Sequence, residues 1–201
     1  MTYLATTRKT EGDQFLQHNL MGLDLSDLTS ISNFVEIISE FKFKKIIYCV
    51  GATSDFRYET VQFGEIQKYF TVHNINAFYL IVKLCQLLDD EVLSTLAVIS
   101  SRAAIYPSFD FSYSASKAAL SSFVSSLSRQ LPSHKRTIVF APGALLNSRM
   151  FYEMPTEIQK SHMERSQGEL LSVDEAAMKI LTILESKFTS GAIVEIGPSY
   201  T

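Results

Sequence analysis

Four short runs of apolar, mostly β-branched residues constrain this chain most: "KIIYCV" (45–50), "TLAVIS" (95–100), "TIVFA" (137–141) and "AIVEI" (192–196). Each is short and continuous rather than alternating, the pattern of a strand covered on both faces. Helix-length segments lie among them, at 28–41, 60–89, 113–131 and 172–187. The last opens on Ser172 with Glu175 three positions on, a capping box that fixes its start. Strand–helix alternation predicts an α/β fold: an open, mostly parallel sheet with helices on both faces and right-handed crossovers. Ahead of it, "TYLATT" (2–7) and "NLMGLDL" (19–25) are weaker strand candidates. With no internal repeat or linker, residues 1–201 read as one domain.

Composition removes several classes of function. A net charge of −3, with Lys and Arg scattered, gives no electrostatic reason to expect nucleic acid or an anionic membrane as partner. No apolar run is long enough to cross a bilayer, and "MTYLATTRKTEGDQF" lacks the layout of a secretion signal. Cys49 and Cys85 sit in apolar stretches without metal-ligand spacing, as buried, reduced thiols of a cytoplasmic protein would. His18, His73, His134 and His162 share no spacing that suggests a metal site, so none is expected.

One segment carries candidate chemistry. "SYSASKAALSSFVSSLSRQL" (112–131) places Tyr113 and Lys117 four residues apart, on one helix face. An ammonium near a phenol favours the phenolate, lowering a pKa otherwise near 10. A tyrosine tuned in this way donates or accepts a proton near neutral pH. The same spacing is common on exposed helix faces, so the pair alone decides nothing.

Its neighbours do more. The run "YSASKAAL" resembles the Tyr-x-x-x-Lys signature of the short-chain dehydrogenase/reductase family. Upstream, "LAVISSRAA" (96–104) is similar to the family's strand ending in a Ser pair, and "YFTVHNINAFYL" (69–80) to the helix carrying its Asn. Downstream, "VFAPGALLNSRM" (139–150) resembles the strand-end Pro-Gly motif, while "LLSVDEAAMKIL" (170–181) and "GAIVEIGP" (191–198) resemble the last helix and strand. The likeness runs in order from about residue 19 to 198.

The resemblance implies a Rossmann-like domain that moves a hydride between a nicotinamide cofactor and a small carbonyl or alcohol substrate. Tyr113 would be the acid or base, and Lys117 would lower its pKa and hold the nicotinamide ribose. A Ser hydroxyl would hold the substrate oxygen; the motif favours Ser101, and spacing to Tyr113 favours Ser100. Asn74 would position Lys117 through a water. Cys49, Val50 and Gly51 stand where relatives have Asn-Ala-Gly beside the cofactor; Pro142 and Gly143 would wall the nicotinamide, and Ser148 would meet its carboxamide. Asp24 and Leu25 would contact the adenine, unless Asp24 caps the following helix. Arg8 suggests NADP, with NAD as the other candidate. The helices at 60–89 and 113–131 would form a homodimer or homotetramer. Segment 150–171 falls at the family's substrate lid, where Met150, Phe151, Tyr152 and Met154 predict an apolar pocket.

The chain departs from the family in one respect. The phosphate loop of relatives needs clustered glycines, through which backbone N–H groups approach the pyrophosphate. The eight glycines here, Gly12, Gly22, Gly51, Gly64, Gly143, Gly168, Gly191 and Gly197, are never closer than six residues. The chain reads as beginning at the family's second strand, with the first strand–helix unit missing. "TYLATT" would then stand in for the central strand, or a second chain would complete the sheet, or the working protein would be longer. The alternative to an enzyme is a non-catalytic relative acting through protein contacts. A nucleotide-sugar epimerase shares Tyr-x-x-x-Lys but needs more chain beyond Gly143.

Overall fold

The computed structural model describes residues 5–7, 20–54 and 56–198. Two strands come first, β1 (Ala5–Thr7) and β2 (Leu20–Gly22), paired in parallel with Ala5 opposite Leu20. Helix α1 (Leu28–Ile38) follows; Asp27 caps it by accepting the Thr29 N–H at 2.8 Å. Its buried residues Ile31, Phe34 and Ile38 recur at helical spacing, so one stripe faces the core.

The main sheet holds β3 (Lys45–Tyr48), β4 (Ser94–Ile99), β5 (Lys135–Pro142) and β6 (Ala192–Ile196), all parallel, in the order β3-β4-β5-β6. Between β3 and β4 run α2 (Phe63–Phe70), a π-helical turn (Thr71–Asn76) and α3 (Ala77–Gln86). Helix α4 (Phe111–Leu127) crosses from β4 to β5. Helices α5 (Arg149–Glu153), α6 (Thr156–Arg165) and α7 (Val173–Glu185) lie between β5 and β6.

Strand alternation sends successive side chains to opposite faces, and both faces are covered. On one, Leu96, Val98 and Val139 pack with Ile31, Leu80, Ile81, Leu120 and Val124 from α1, α3 and α4. On the other, Ala97, Ile138 and Phe140 pack with Ala176 and Leu184 of α7. The continuous apolar runs of β4 and β5 follow from this double burial. The expected open parallel α/β sheet with helices on both faces is the fold observed. Among the described residues no helix is long and apolar enough to cross a membrane.

Local detail departs from the sequence reading in three places. The segment expected as one helix over 60–89 starts at Phe63, where Gln62 and Glu65 form a capping box, and widens at 71–76 into the π turn. The helix expected at 113–131 starts two residues earlier, because Asp110 accepts the Tyr113 N–H at 2.9 Å. Of the 2–7 segment, the described part β1 does not join the four-stranded sheet as a central strand but pairs with β2 in a separate two-stranded sheet. Ser172 and Glu175 form the expected capping box on α7.

Phe140 is fully buried between β5 and α7. Phe140→Ala should therefore cost about 3–5 kcal/mol in chemical denaturation, the usual penalty for an emptied aromatic site. A loss below about 1 kcal/mol would show that this face is not the packed core described.

Candidate active site

Parallel sheets with helices on both faces leave a crevice at the carboxyl ends of their strands. Here it is a cavity of about 410 Å³, lined in turn by Cys49–Gly51 beyond β3, Ile99–Ser101 at the end of β4, and Pro142–Gly143 at the end of β5. Tyr113 and Lys117 of α4 line it too, as do Ser148 and Met150. Of the sequence-derived site residues, all but Arg8, Asp24, Leu25 and Asn74 thus line one space. Asn74 stands immediately behind it, and Arg8 lies outside the described residues.

Lys117 is nearly sealed from solvent, and its Nζ donates to the carbonyls of Val50 (2.9 Å) and Ile99 (3.2 Å). The ammonium therefore joins α4 to the ends of β3 and β4. It sits 5.8 Å from the centre of the Tyr113 ring. Burial lowers its pKa to about 8, an effect the nearby Cys49 partly opposes. Gly51 is needed where it stands: a Cβ there would come within 2.7 Å of Nζ.

Tyr113 behaves differently from the expectation. Burial raises its pKa, the Ser101 hydroxyl offsets this through a hydrogen bond, and Asp110 and Cys49 add to the rise. Lys117 does not pull it down, because the ammonium is turned to two carbonyls. The phenol is therefore protonated at neutral pH.

The two serines separate clearly. Ser100 is buried and engaged with the Lys117 carbonyl (3.1 Å) and the Ser121 hydroxyl (2.7 Å), which makes it part of the helix–strand contact. Ser101 faces Tyr113, and its oxygen also accepts the Ala103 N–H at 3.1 Å, capping the short turn Arg102–Ala104. Asn74 lies inside the π turn, buried, with Nδ2 donating to the Ser116 carbonyl at 2.9 Å. Its Oδ1 accepts no hydrogen bond among the described residues. Widened turns of this kind recur at functional sites.

Other expectations shift: Cys85 is buried as expected, but Cys49 is exposed where it lines the cavity beyond β3. Asp24 makes a local turn, accepting the Ser26 N–H at 2.8 Å, while Asp27 is the residue that caps α1. Leu25 is core, and its carbonyl accepts from Asn76. Neither lines the cavity. Ser148 does, with its hydroxyl already capping α5 through Phe151 N–H (3.1 Å). Phe151 is buried away from the cavity and Tyr152 points to solvent, so Met150 and Met154 supply the apolar wall instead. Alternation within a short helix puts only part of such a run on any one face.

Sequence reasoning missed two residues that hold the loop 51–54. Asp110 accepts from the Ser54 N–H and hydroxyl, both at 2.6 Å, besides capping α4 under Tyr113. Tyr69 donates to the Ala52 carbonyl at 2.7 Å. An Asp three residues before the Tyr is a cap signal on its own; its reach to Ser54 is purely spatial.

The fold and cavity define an open parallel α/β protein with a Ser-Tyr-Lys cluster at its strand ends. The family model for short chain dehydrogenases matches residues 4–159, and the chain belongs to that family. A search of curated proteins gave no match. Solved structures with the same fold include a dehydrogenase/reductase from Sinorhizobium meliloti, 20% identical, covering 88% of this chain and 72% of that one with a TM-score of 0.77. The Pseudomonas aeruginosa RhlG/NADP active-site complex is also 20% identical, covering 95% and 83% with a TM-score of 0.79. A short chain dehydrogenase from Burkholderia cenocepacia in complex with NADP is 16% identical, covering 91% and 77% with a TM-score of 0.76.

Two consequences can be measured. Asp110→Ala removes a helix cap and two hydrogen bonds to Ser54, so stability should fall by about 2 kcal/mol; an unchanged denaturation midpoint would remove Asp110 from this role. Lys117 has a folded-state pKa below its ordinary value, so between about pH 8 and 10.5 the unfolded chain holds the proton that the folded chain has shed. Stability therefore rises with pH across that window and its cost is fully present below it. Measured against Lys117→Met, the wild type should gain roughly 2–3 kcal/mol from neutral pH to about pH 10. Parallel pH profiles for the two proteins would contradict the burial of a charged Lys117.

Proposed function

We propose that this protein is a nicotinamide-dependent oxidoreductase that reduces a small carbonyl compound or oxidises the corresponding alcohol. The observation that carries the reading is the meeting of Ser101, Tyr113 and Lys117 in one cavity at the strand ends. The nicotinamide end of the cofactor fits the residues present. Gly51 leaves the close approach beside Lys117 open, Pro142 and Gly143 form a wall, and the Asn74 Oδ1 is a buried acceptor behind the site. The bound nicotinamide would supply or take up the hydride.

The chain's own groups handle the oxygen and the proton. Ser101 donates a hydrogen bond to the substrate oxygen and orients it toward Tyr113. Tyr113, held as a phenol by burial, gives its proton to that oxygen as negative charge develops on it. The phenolate left behind lies beside the Lys117 ammonium, whose attraction is strong in a site with little water. Asn74 would accept from a water leading to Lys117, giving the proton a return path. With a pKa near 8, Lys117 keeps its charge through neutral pH and loses it in mildly alkaline solution. In the oxidation direction the same phenolate takes the alcohol proton.

The preference for NADP over NAD rests on Arg8 in the sequence, supported by relatives of the same fold solved with NADP. Phosphate binding would use groups other than a glycine-clustered loop. Calorimetric titration with NADPH and then NADH tests the reading directly, with NADPH expected to bind tighter. Tyr113→Phe should leave that affinity within about twofold and lower turnover of a carbonyl substrate by roughly 10²–10⁴-fold, the size of a lost acid. No binding of either nucleotide to folded protein would instead identify a non-catalytic relative.

A further inference from the structure

Strand β6, "AIVEI", carries one charged residue, Glu195, in an otherwise apolar run. Its neighbours Val194 and Ile196 pack with the α7 side of the core, so strand alternation turns Glu195 to the other face. There its carboxylate takes two partners from a single loop. Oε2 pairs with the Arg102 Nε at 2.9 Å, and Oε1 accepts the Tyr106 hydroxyl at 3.2 Å. Arg102 is buried, and its guanidinium lies 5.2 Å from the centre of the Tyr106 ring. It also donates to the Pro198 carbonyl, just past β6. The loop after β4 is thus tied to β6 at both Arg102 and Tyr106.

That loop begins at Ser101. The Ser101 hydroxyl oxygen caps the turn Arg102–Ala104, and the N–H groups of Ala104, Ile105 and Tyr106 donate back to the carbonyls of Ser101 and Arg102. The Ala103 carbonyl accepts from Ser114, the residue after Tyr113. Ser101, Arg102 and Tyr106 all line the cavity, whereas no residue of β6 does. Glu195 therefore acts on the cavity through the loop. Resting on the reading of Ser101 as the holder of the substrate oxygen, we propose that Glu195 is a positioning residue, whose carboxylate fixes the turn that presents the Ser101 hydroxyl to Tyr113 and to the substrate. Taking a partner from a buried charge is costly, so the Arg102 pair resists opening. The Tyr106 bond makes the carboxylate a bridge between two points of the loop, which sets the loop's orientation as a single tether would not. The same bridge holds Tyr106 as a fixed wall of the cavity.

Amide hydrogen exchange reads the turn directly. It needs neither nucleotide nor turnover, so it stands or falls separately from the titrations that test the oxidoreductase reading. Glu195→Ala should speed exchange at residues 103–106 about tenfold and leave the β5 amides unchanged. Turnover with NADPH and 4-nitrobenzaldehyde reads the consequence. Glu195→Ala should lower kcat about tenfold or more, with NADPH affinity within about twofold of the wild type. Glu195→Gln should restore part of the rate, because its amide oxygen still accepts from Tyr106, and Tyr106→Phe should lose less than Glu195→Ala. In a Ser101→Ala background Glu195→Ala should lower kcat no further, since the hydroxyl it positions is gone. Glu195 is exposed on an edge strand, so these variants should fold. Unchanged exchange in the turn would overturn the proposal. Losses that add in the double variant would place the action of Glu195 elsewhere, and a fall in NADPH affinity matching the fall in kcat would make it a cofactor-side group; either overturns the positioning role.

Discussion

The site depends on a lysine ammonium held out of water by two backbone carbonyls. Val50 lies just beyond β3 and Ile99 ends the neighbouring β4, and both carbonyl oxygens accept from Lys117. No carboxylate among the described residues forms an ion pair with it, and two carbonyl hydrogen bonds offset its burial. Such a group persists only if its surroundings are fixed, and they are fixed from every side. Ser100 and Ser121 both donate to the Lys117 carbonyl, and Asn74 donates to the carbonyl one residue earlier. Gly51, having no Cβ, leaves room for Nζ, which an added Cβ would approach to 2.7 Å. Strand ends, helix α4 and the π turn are thereby bound into one rigid unit, and Tyr113 rides on it.

Burial works against charge on both groups at the site. Tyr113 is held protonated and Lys117 is close to giving up its charge, the reverse of a phenolate–ammonium pair. Desolvation accounts for both shifts, since it opposes charge of either sign. The two groups therefore support each other only when charge moves between them: proton loss from the phenol creates the anion that the ammonium favours. Under the proposed function, that arrangement suits proton release toward an oxygen gaining negative charge.

What the sequence made legible follows from what local chemistry determines. The buried strands were readable because β4 and β5 are covered on both faces and so are apolar throughout. The edge strands β3 and β6 carry the same kind of residue but expose alternate positions, Ile47 and Ile193 among them, which no run of β-branched residues could distinguish. Caps at Ser172 and the Tyr113–Lys117 spacing were readable because both act within a turn or two of one helix. The roles of Ser100 and Ser101 were not, since adjacent residues in an extended segment point opposite ways and only the packing of α4 decides which meets Tyr113. Asp110 escaped for the same reason: its partner Ser54 is distant in sequence.

The divided sheet bears on how the site keeps its shape. In a continuous parallel sheet each strand is held laterally on both sides, whereas β3 is paired only with β4 among the described residues. Yet β3 leads directly into Val50 and Gly51, which grip Lys117, so its end cannot be left loose. The structure secures that end by side chains in place of a second ladder: Asp110 takes two hydrogen bonds from Ser54, and Tyr69 takes the Ala52 carbonyl. Both anchors come from helices that pack against the core, α4 at its cap and α2 through Tyr69. A buried polar network is costly when half-satisfied and stiff when complete. Here these bonds hold the segment beyond β3 that presents the Val50 carbonyl to Lys117.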